Sequence, residues 1–249
     1  MTHDWQCDIY KNVKSDIELP SVPKGISSLL PPIIELPILY NPKALSDNEC
    51  DNLRDLILRK EEEIIKKFSP VPIAGQKEGL TPRWMDYNIL SWKEKEADPV
   101  RRAICEGYQE YLKSTGYPRW TNFAQCWANK LQEKNALAPH RHNFRQIAAI
   151  NGTISLVKCN TKTIFVFPIH LMSEKTSLPI DTTSYETGKG HMIIIPSWLT
   201  HFTTPVPAGE TRFTLGFDIA GHFNRGQNIP FDKPDELSEI PTGQSLLKS

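Results

Sequence analysis

Apolar positions recur at helical spacing twice in the first half of the chain and at strand spacing through most of the second. Cys50, Leu53, Leu56, Ile57, Ile64 and Phe68 return at roughly helical intervals against a charged opposite face, which predicts an amphipathic helix lying on a surface. Ser46 and Glu49 stand at capping-box spacing and set its start. A second helix is predicted from Asp98, read as its N-cap with Pro99 at the first helical position, to Gly116. Val100, Ala103, Ile104, Tyr108, Tyr111 and Leu112 form its apolar stripe. Residues 69–97, between the helices, read as loop with short strands, and residues 171–187 read as loop.

From Thr121 onward the apolar runs shorten, fill with β-branched and aromatic residues and are separated by turn residues, so the period becomes that of strands. The expected strands are 122–131, 146–158, 163–168, 191–196 and the region 201–219, with Gly188, Lys189 and Gly190 turning the chain before the fourth. Pro20, Pro23, Pro31, Pro32 and Pro37 remove backbone donors and disfavour helix just before them. Residues 1–40 therefore read as an extended wrap or edge strand, with 34–40 the best strand candidate. Residues 224–249 are polar and without periodicity, a loosely ordered tail. Two helices followed by a run of strands give an α+β fold with a β-sandwich or small barrel as its core. One domain is expected, in which an extended segment and helix (1–95) pack on a core with its own preceding helix (96–223), followed by the tail (224–249).

Composition narrows the partners. Lys and Arg total 29 and Asp and Glu total 29, so no basic field draws the chain to nucleic acid or an anionic membrane. A small molecule or another protein is the expected partner, a homodimer included. Cys7, Cys50, Cys105, Cys126 and Cys159 are odd in number, scattered and free of any CxxC pair, which fits neither a disulfide framework nor a thiolate zinc site and suits a reducing, cytoplasmic setting. The first residues carry Asp4 and Asp8 and lack the cationic start and apolar run of a secretory signal. The longest apolar stretches are about six residues, against the ~20 that cross a bilayer.

The candidate chemistry lies in the histidines. His140 and His142 flank one residue just before a strand, and in extended backbone both side chains project to one face. Imidazole suits iron, zinc, copper and nickel alike, so the pair does not name its metal. His201 follows an apolar strand and a Pro196-Ser-Trp turn, and Arg212 opens the strand after a second turn through Pro207, Ala208 and Gly209. If these two strands pair as a hairpin, His201 and Arg212 approach one cavity mouth. An arginine pointing inward from a strand that carries Phe213, Leu215 and Phe217 needs a partner. A bound carboxylate met bidentately would serve, with Thr214 adding a hydroxyl; a salt bridge to Glu210 is the alternative.

The order HxH, distal His, then Arg eleven positions later followed by Phe-Thr resembles the 2-oxoglutarate/Fe(II)-dependent oxygenase superfamily. More narrowly, Trp127-Ala-Asn129, His140-Arg-His142, Pro196-Ser-Trp-Leu-Thr-His201 and Arg212-Phe-Thr214 are similar to the recurring features of a group of small oxygenases within it, over roughly residues 100–220. The resemblance implies a double-stranded β-helix core, jelly-roll or cupin-like, with N-terminal helices packed on it. It implies Fe(II) held by His140, His142 and His201, and 2-oxoglutarate bound through Arg212 and Thr214 with Trp127 and Asn129 in the cavity wall. The expected reaction consumes O2 and oxidises, most simply hydroxylates, a C–H bond of a small-molecule substrate; Arg83, Trp84 and Arg145 are available to meet an anionic or aromatic one. His142 stands where most of the superfamily has a carboxylate, and 147–152 lacks the Ser-Gly and double-aromatic pattern associated with the narrower group. A three-histidine cupin-type enzyme without 2-oxoglutarate, a zinc or nickel site, and a non-enzymatic β-sandwich binding module are the competing readings.

Overall fold

The computed structural model describes residues 5–11, 35–116, 122–142, 148–173, 179–221 and 238–240. Most of the proline-rich stretch before residue 35, Arg145, and most of the tail after residue 221 lie outside the described residues. Among the described residues ten strands and two α-helices follow in order: β1 (Gln6–Lys11), β2 (Glu35–Asn41), α1 (Asp47–Lys67), α2 (Asp98–Thr115), β3 (Asn122–Leu131), β4 (Ala148–Ser155), β5 (Cys159–Ser173), β6 (Pro179–Thr187), β7 (Met192–Pro196), β8 (Thr200–Thr203), β9 (Arg212–Gly221) and β10 (Ser238–Ile240).

The capping box at α1 forms as the spacing predicts: Ser46 Oγ accepts the Glu49 amide and Glu49 Oε2 accepts the Ser46 amide. Asp98 is not the cap of α2. The chain reaches it through a 3-10 turn, Lys95–Ala97, so Ala97 is already wound at φ −86°, ψ −14°, and Asp98 sits in the first turn with Arg101 as its ion-pair partner. Gly116 ends the helix at φ +67°, a left-handed conformation that costs glycine little.

The described strand pairings are antiparallel, in the order β10-β3-β9-β4-β7-β2-β1-β5-β6, with β8 paired to β5. Alternation along the strands separates two faces. Ala124, Cys126 and Ala128 of β3, Phe213, Leu215 and Phe217 of β9 and Met192 and Ile194 of β7 pack with the stripes of α1 and α2. On the opposite face Leu36, Ile38, Ile193 and Ile195 meet Phe165 and Phe167 of β5, so the sheet curls and β5, β6 and β8 lie across from β2, β7, β4, β9 and β3. This is a jelly-roll-like core with helices on one outer face. Among the described residues no helix is long and apolar enough to cross a membrane.

Three expectations require correction. Residues 69–97 hold 3-10 turns rather than strands, because side chains do the work of a ladder: Asn88 Oδ1 accepts the Cys126 amide at 3.0 Å while its Nδ2 donates to the Ala124 carbonyl, and Tyr87 Oη accepts the Ala128 amide at 2.9 Å. Residues 171–173 and 179–187 are not loop, since β5 extends to Ser173 and β6 (Pro179–Thr187) pairs against it; 174–178 lie outside the described residues. The expected hairpin between the His201 and Arg212 strands does not form. β8 pairs with β5, whereas β9 lies between β3 and β4; Pro205 and Pro207 lack amide hydrogens, and the connection crosses from one layer to the other instead.

Candidate metal centre and anion pocket

Backbone pairing brings the histidines together. His140 and His201 form a bridge, exchanging N–H···O bonds of 3.0 and 2.9 Å, and the His142 amide donates to the Ser197 carbonyl at 2.9 Å. The HxH segment is thereby fastened to the turn that carries the distal histidine. Ring centroids lie 4.4 Å apart for His140 and His201 and 5.3 Å for each ring to His142. One ring nitrogen from each lies within 4.8 Å of the others.

Each ring has its Nδ1 engaged. His140 Nδ1–H donates to the Ala138 carbonyl at 2.7 Å and His201 Nδ1–H to the Leu199 carbonyl at 3.0 Å. His142 Nδ1 lies 2.9 Å from Asp218 Oδ1 and 3.2 Å from Asn151 Nδ2; the shorter contact, to a carboxylate that can only accept, assigns the proton to Nδ1. That tautomer leaves the three Nε2 lone pairs for a metal. Burial, then the His142 ring beside it, pushes His140 down to about 4; burial, then the two neighbouring imidazoles, pushes His201 well below the ordinary histidine range. Both are neutral at pH 7, the form a metal ligand requires. The donor set therefore fits a divalent transition metal.

Arg212 faces the same cavity from β9. It is 3% exposed, and burial lowers its pKa to about 10, which still leaves it charged at neutral pH. Among the described residues its guanidinium meets only hydroxyls: Nη1 donates to Thr161 Oγ1 at 2.8 Å and to Thr187, Nη2 donates to Thr163 Oγ1 at 2.9 Å, and Nε has no partner. The salt bridge to Glu210 does not form, because that carboxylate turns to the surface and accepts from the Asn160 amide and side chain.

The cavity encloses about 670 Å³ including its open mouth, and its lining holds all seven expected site residues: His140, His142, His201, Arg212, Thr214, Asn129 and Trp127. Thr214 and Asn129 are cross-strand partners on β9 and β3, and both are buried. Trp127 lies between His142, stacked at 5.8 Å, and Trp84 at 5.2 Å. Of the proposed substrate contacts, Trp84 lines the cavity, whereas Arg83 is buried in the 69–97 segment and donates to the Phe68 and Gly79 carbonyls. The threonine cradle and Asp218 were missed. A usable signal existed for Asp218, since even-numbered positions of β9 share a face and place it in line with Arg212.

Gly216 stands directly opposite Trp127, and a Cβ there would come within 2.7 Å of the indole ring. The ring is held on both sides and cannot move aside freely. Gly216→Ala should therefore destabilise the fold by roughly 1–3 kcal/mol, as overpacked cores do; an unchanged thermal unfolding midpoint would contradict this packing.

No family model and no curated protein sequence matches the chain. Solved structures do share its fold. A prolyl hydroxylase from Trichoplax adhaerens, in complex with a hypoxia inducible factor peptide fragment, superimposes with a TM-score of 0.53 at 11% identity, covering 74% of this chain and 83% of that one. A Pseudomonas putida prolyl-4-hydroxylase gives 0.52 at 11% identity, over 74% and 92%. The non-heme α-ketoglutarate-dependent epimerase SnoN of nogalamycin biosynthesis gives 0.51 at 13% identity, over 85% and 83%.

Proposed function

We propose that this protein is an Fe(II)- and 2-oxoglutarate-dependent oxygenase acting on a small-molecule substrate, with its curled sheet read as a double-stranded β-helix. The observation that carries the reading is Arg212: a charged guanidinium, almost wholly buried, with hydroxyl partners only and an unpaired Nε among the described residues, lining one cavity with three imidazoles, of which His140 and His201 are held neutral by burial. A buried charge without a counter-ion is costly, and a dicarboxylate resolves it. The likeness in fold to the α-ketoglutarate-dependent epimerase supports the same assignment.

In this reading His140, His142 and His201 hold the iron through Nε2. The bound iron would supply the O2 chemistry that couples oxidative decarboxylation of 2-oxoglutarate, to succinate and CO2, to oxidation of a C–H bond. Arg212 pairs with the distal carboxylate, oriented in advance by Thr161, Thr163 and Thr187 so that little side-chain entropy is lost on binding. Thr214 and Asn129, side by side across two strands, offer hydrogen bonds to the co-substrate oxygens. Trp127 and Trp84 wall the remaining space and keep water from it, which leaves the mouth of the cavity for the substrate.

Anaerobic addition of Fe(II) and 2-oxoglutarate should produce a weak visible charge-transfer band, and admission of O2 should release succinate. Metal uptake without the band would point to the three-histidine enzyme that dispenses with 2-oxoglutarate.

A further inference from the structure

The three imidazoles are not equivalent. His140 and His201 each donate Nδ1–H to a backbone carbonyl two residues earlier, whereas His142 donates to a carboxylate, Asp218, at 2.9 Å. The Asp218 side chain is 14% exposed, and among the described residues its partners are His142 and Asn151. Asn151 Nδ2 donates to Asp218 Oδ1 at 3.0 Å and to the Phe217 carbonyl at 3.1 Å and lies 3.2 Å from His142 Nδ1, which holds the carboxylate against β4 beside the ring. Among the described residues no lysine or arginine shares it.

We propose that Asp218 is a positioning residue of the metal centre, supplying through His142 the negative charge that a set of three neutral ligands lacks. This rests on the metal site proposed above. An imidazole whose Nδ1–H is bound by a carboxylate is locked in the tautomer that presents Nε2, and it is a stronger donor because the proton is partly drawn to the oxygen. His142 and Asp218 then act as one anionic ligand unit, with the carboxylate one ring further from the metal than in a directly bound carboxylate. The arrangement also explains how β9 serves both ends of the cavity. Arg212 and Asp218 occupy the same face six residues apart, roughly 20 Å along an extended strand, with the cation toward the co-substrate and the anion behind the metal.

The test uses Co(II) alone, titrated into the full-length protein against a chromophoric chelator, and needs neither 2-oxoglutarate nor turnover. Asp218→Asn should weaken Co(II) binding 10- to 100-fold, the usual effect of losing such an outer carboxylate. In a His142→Ala background the same change should cost less than 3-fold, because the ring through which it acts is gone. Equal losses in the two backgrounds, or no loss in the first, would overturn the proposal. Should Asp218→Asn fold poorly, Asp218→Ser keeps a neutral acceptor for the Nδ1–H and should show the same loss. If the unaltered protein binds no Co(II), the metal centre itself is refuted, and this proposal with it. If the unaltered protein and Asp218→Asn bind equally well, only the role of Asp218 is refuted.

Discussion

His201→Ala should weaken metal binding by at least about a hundredfold and abolish turnover while leaving the fold in place. Structural metal sites with four protein ligands are worth about 10–16 kcal/mol, so one imidazole accounts for roughly 3 kcal/mol, or two orders of magnitude. His201 is the ligand whose loss is cleanest to interpret. Its contact with His140 runs through backbone atoms, at 3.0 and 2.9 Å, so the bridge that seats the HxH segment survives removal of the side chain. Its own ring is buried among two other imidazoles and Phe165, a neighbourhood that relaxes around a smaller residue. Metal analysis of purified protein, with thermal unfolding beside it, checks both halves of the expectation. Wild-type metal content in the variant would remove His201 from the ligand set.

The contrast with what could be read along the chain follows from distance in sequence. The helices were legible because their signals are local: Ser46 and Glu49 are one turn apart, and the stripe of α2 repeats within 18 residues. β3 was legible to its ends because Gly116 and Pro118 precede it and the polar turn from Gln132 to Asn135 follows it. The pairing of strands was not, because it depends on contacts far apart in the chain. His201 and Arg212 looked like the arms of a hairpin and instead stand on strands that pair with β5 in one case and with β3 and β4 in the other. The threonines around Arg212 come from 25 to 51 residues away on β5 and β6, and two of them fell in or beside segments read as loop or strand end. Asp218 lies 76 positions from His142, and only closure of the sheet brings them to 2.9 Å. The motif therefore announced the residues that the proposed site assigns to metal and co-substrate, while the partners of those residues came together only in three dimensions.

Arg212→Met should separate function from stability. Removing one partner of a buried, hydrogen-bonded charge pair costs about 2–5 kcal/mol of binding, so the dissociation constant for 2-oxoglutarate should rise by about thirtyfold or more with metal content unchanged. Among the described residues of the ligand-free protein the same guanidinium has no anionic partner and an unpaired Nε, and burial depresses its pKa to about 10. It is therefore a net cost to the folded state. Methionine fills a similar volume without the charge, and Thr161 and Thr187 still hydrogen-bond each other at 3.0 Å. The ligand-free variant should consequently unfold at a temperature equal to or above that of the unaltered protein. 2-Oxoglutarate, added anaerobically with the metal, should raise the unfolding temperature of the unaltered protein and leave that of the variant unmoved. A variant that unfolds early would make Arg212 a structural residue whose partner lies elsewhere. A variant that stays folded and still binds 2-oxoglutarate tightly would place the co-substrate carboxylate on another group. The expected pair of results, higher or equal stability with lost binding, is the signature of a charge that the fold keeps buried for its ligand.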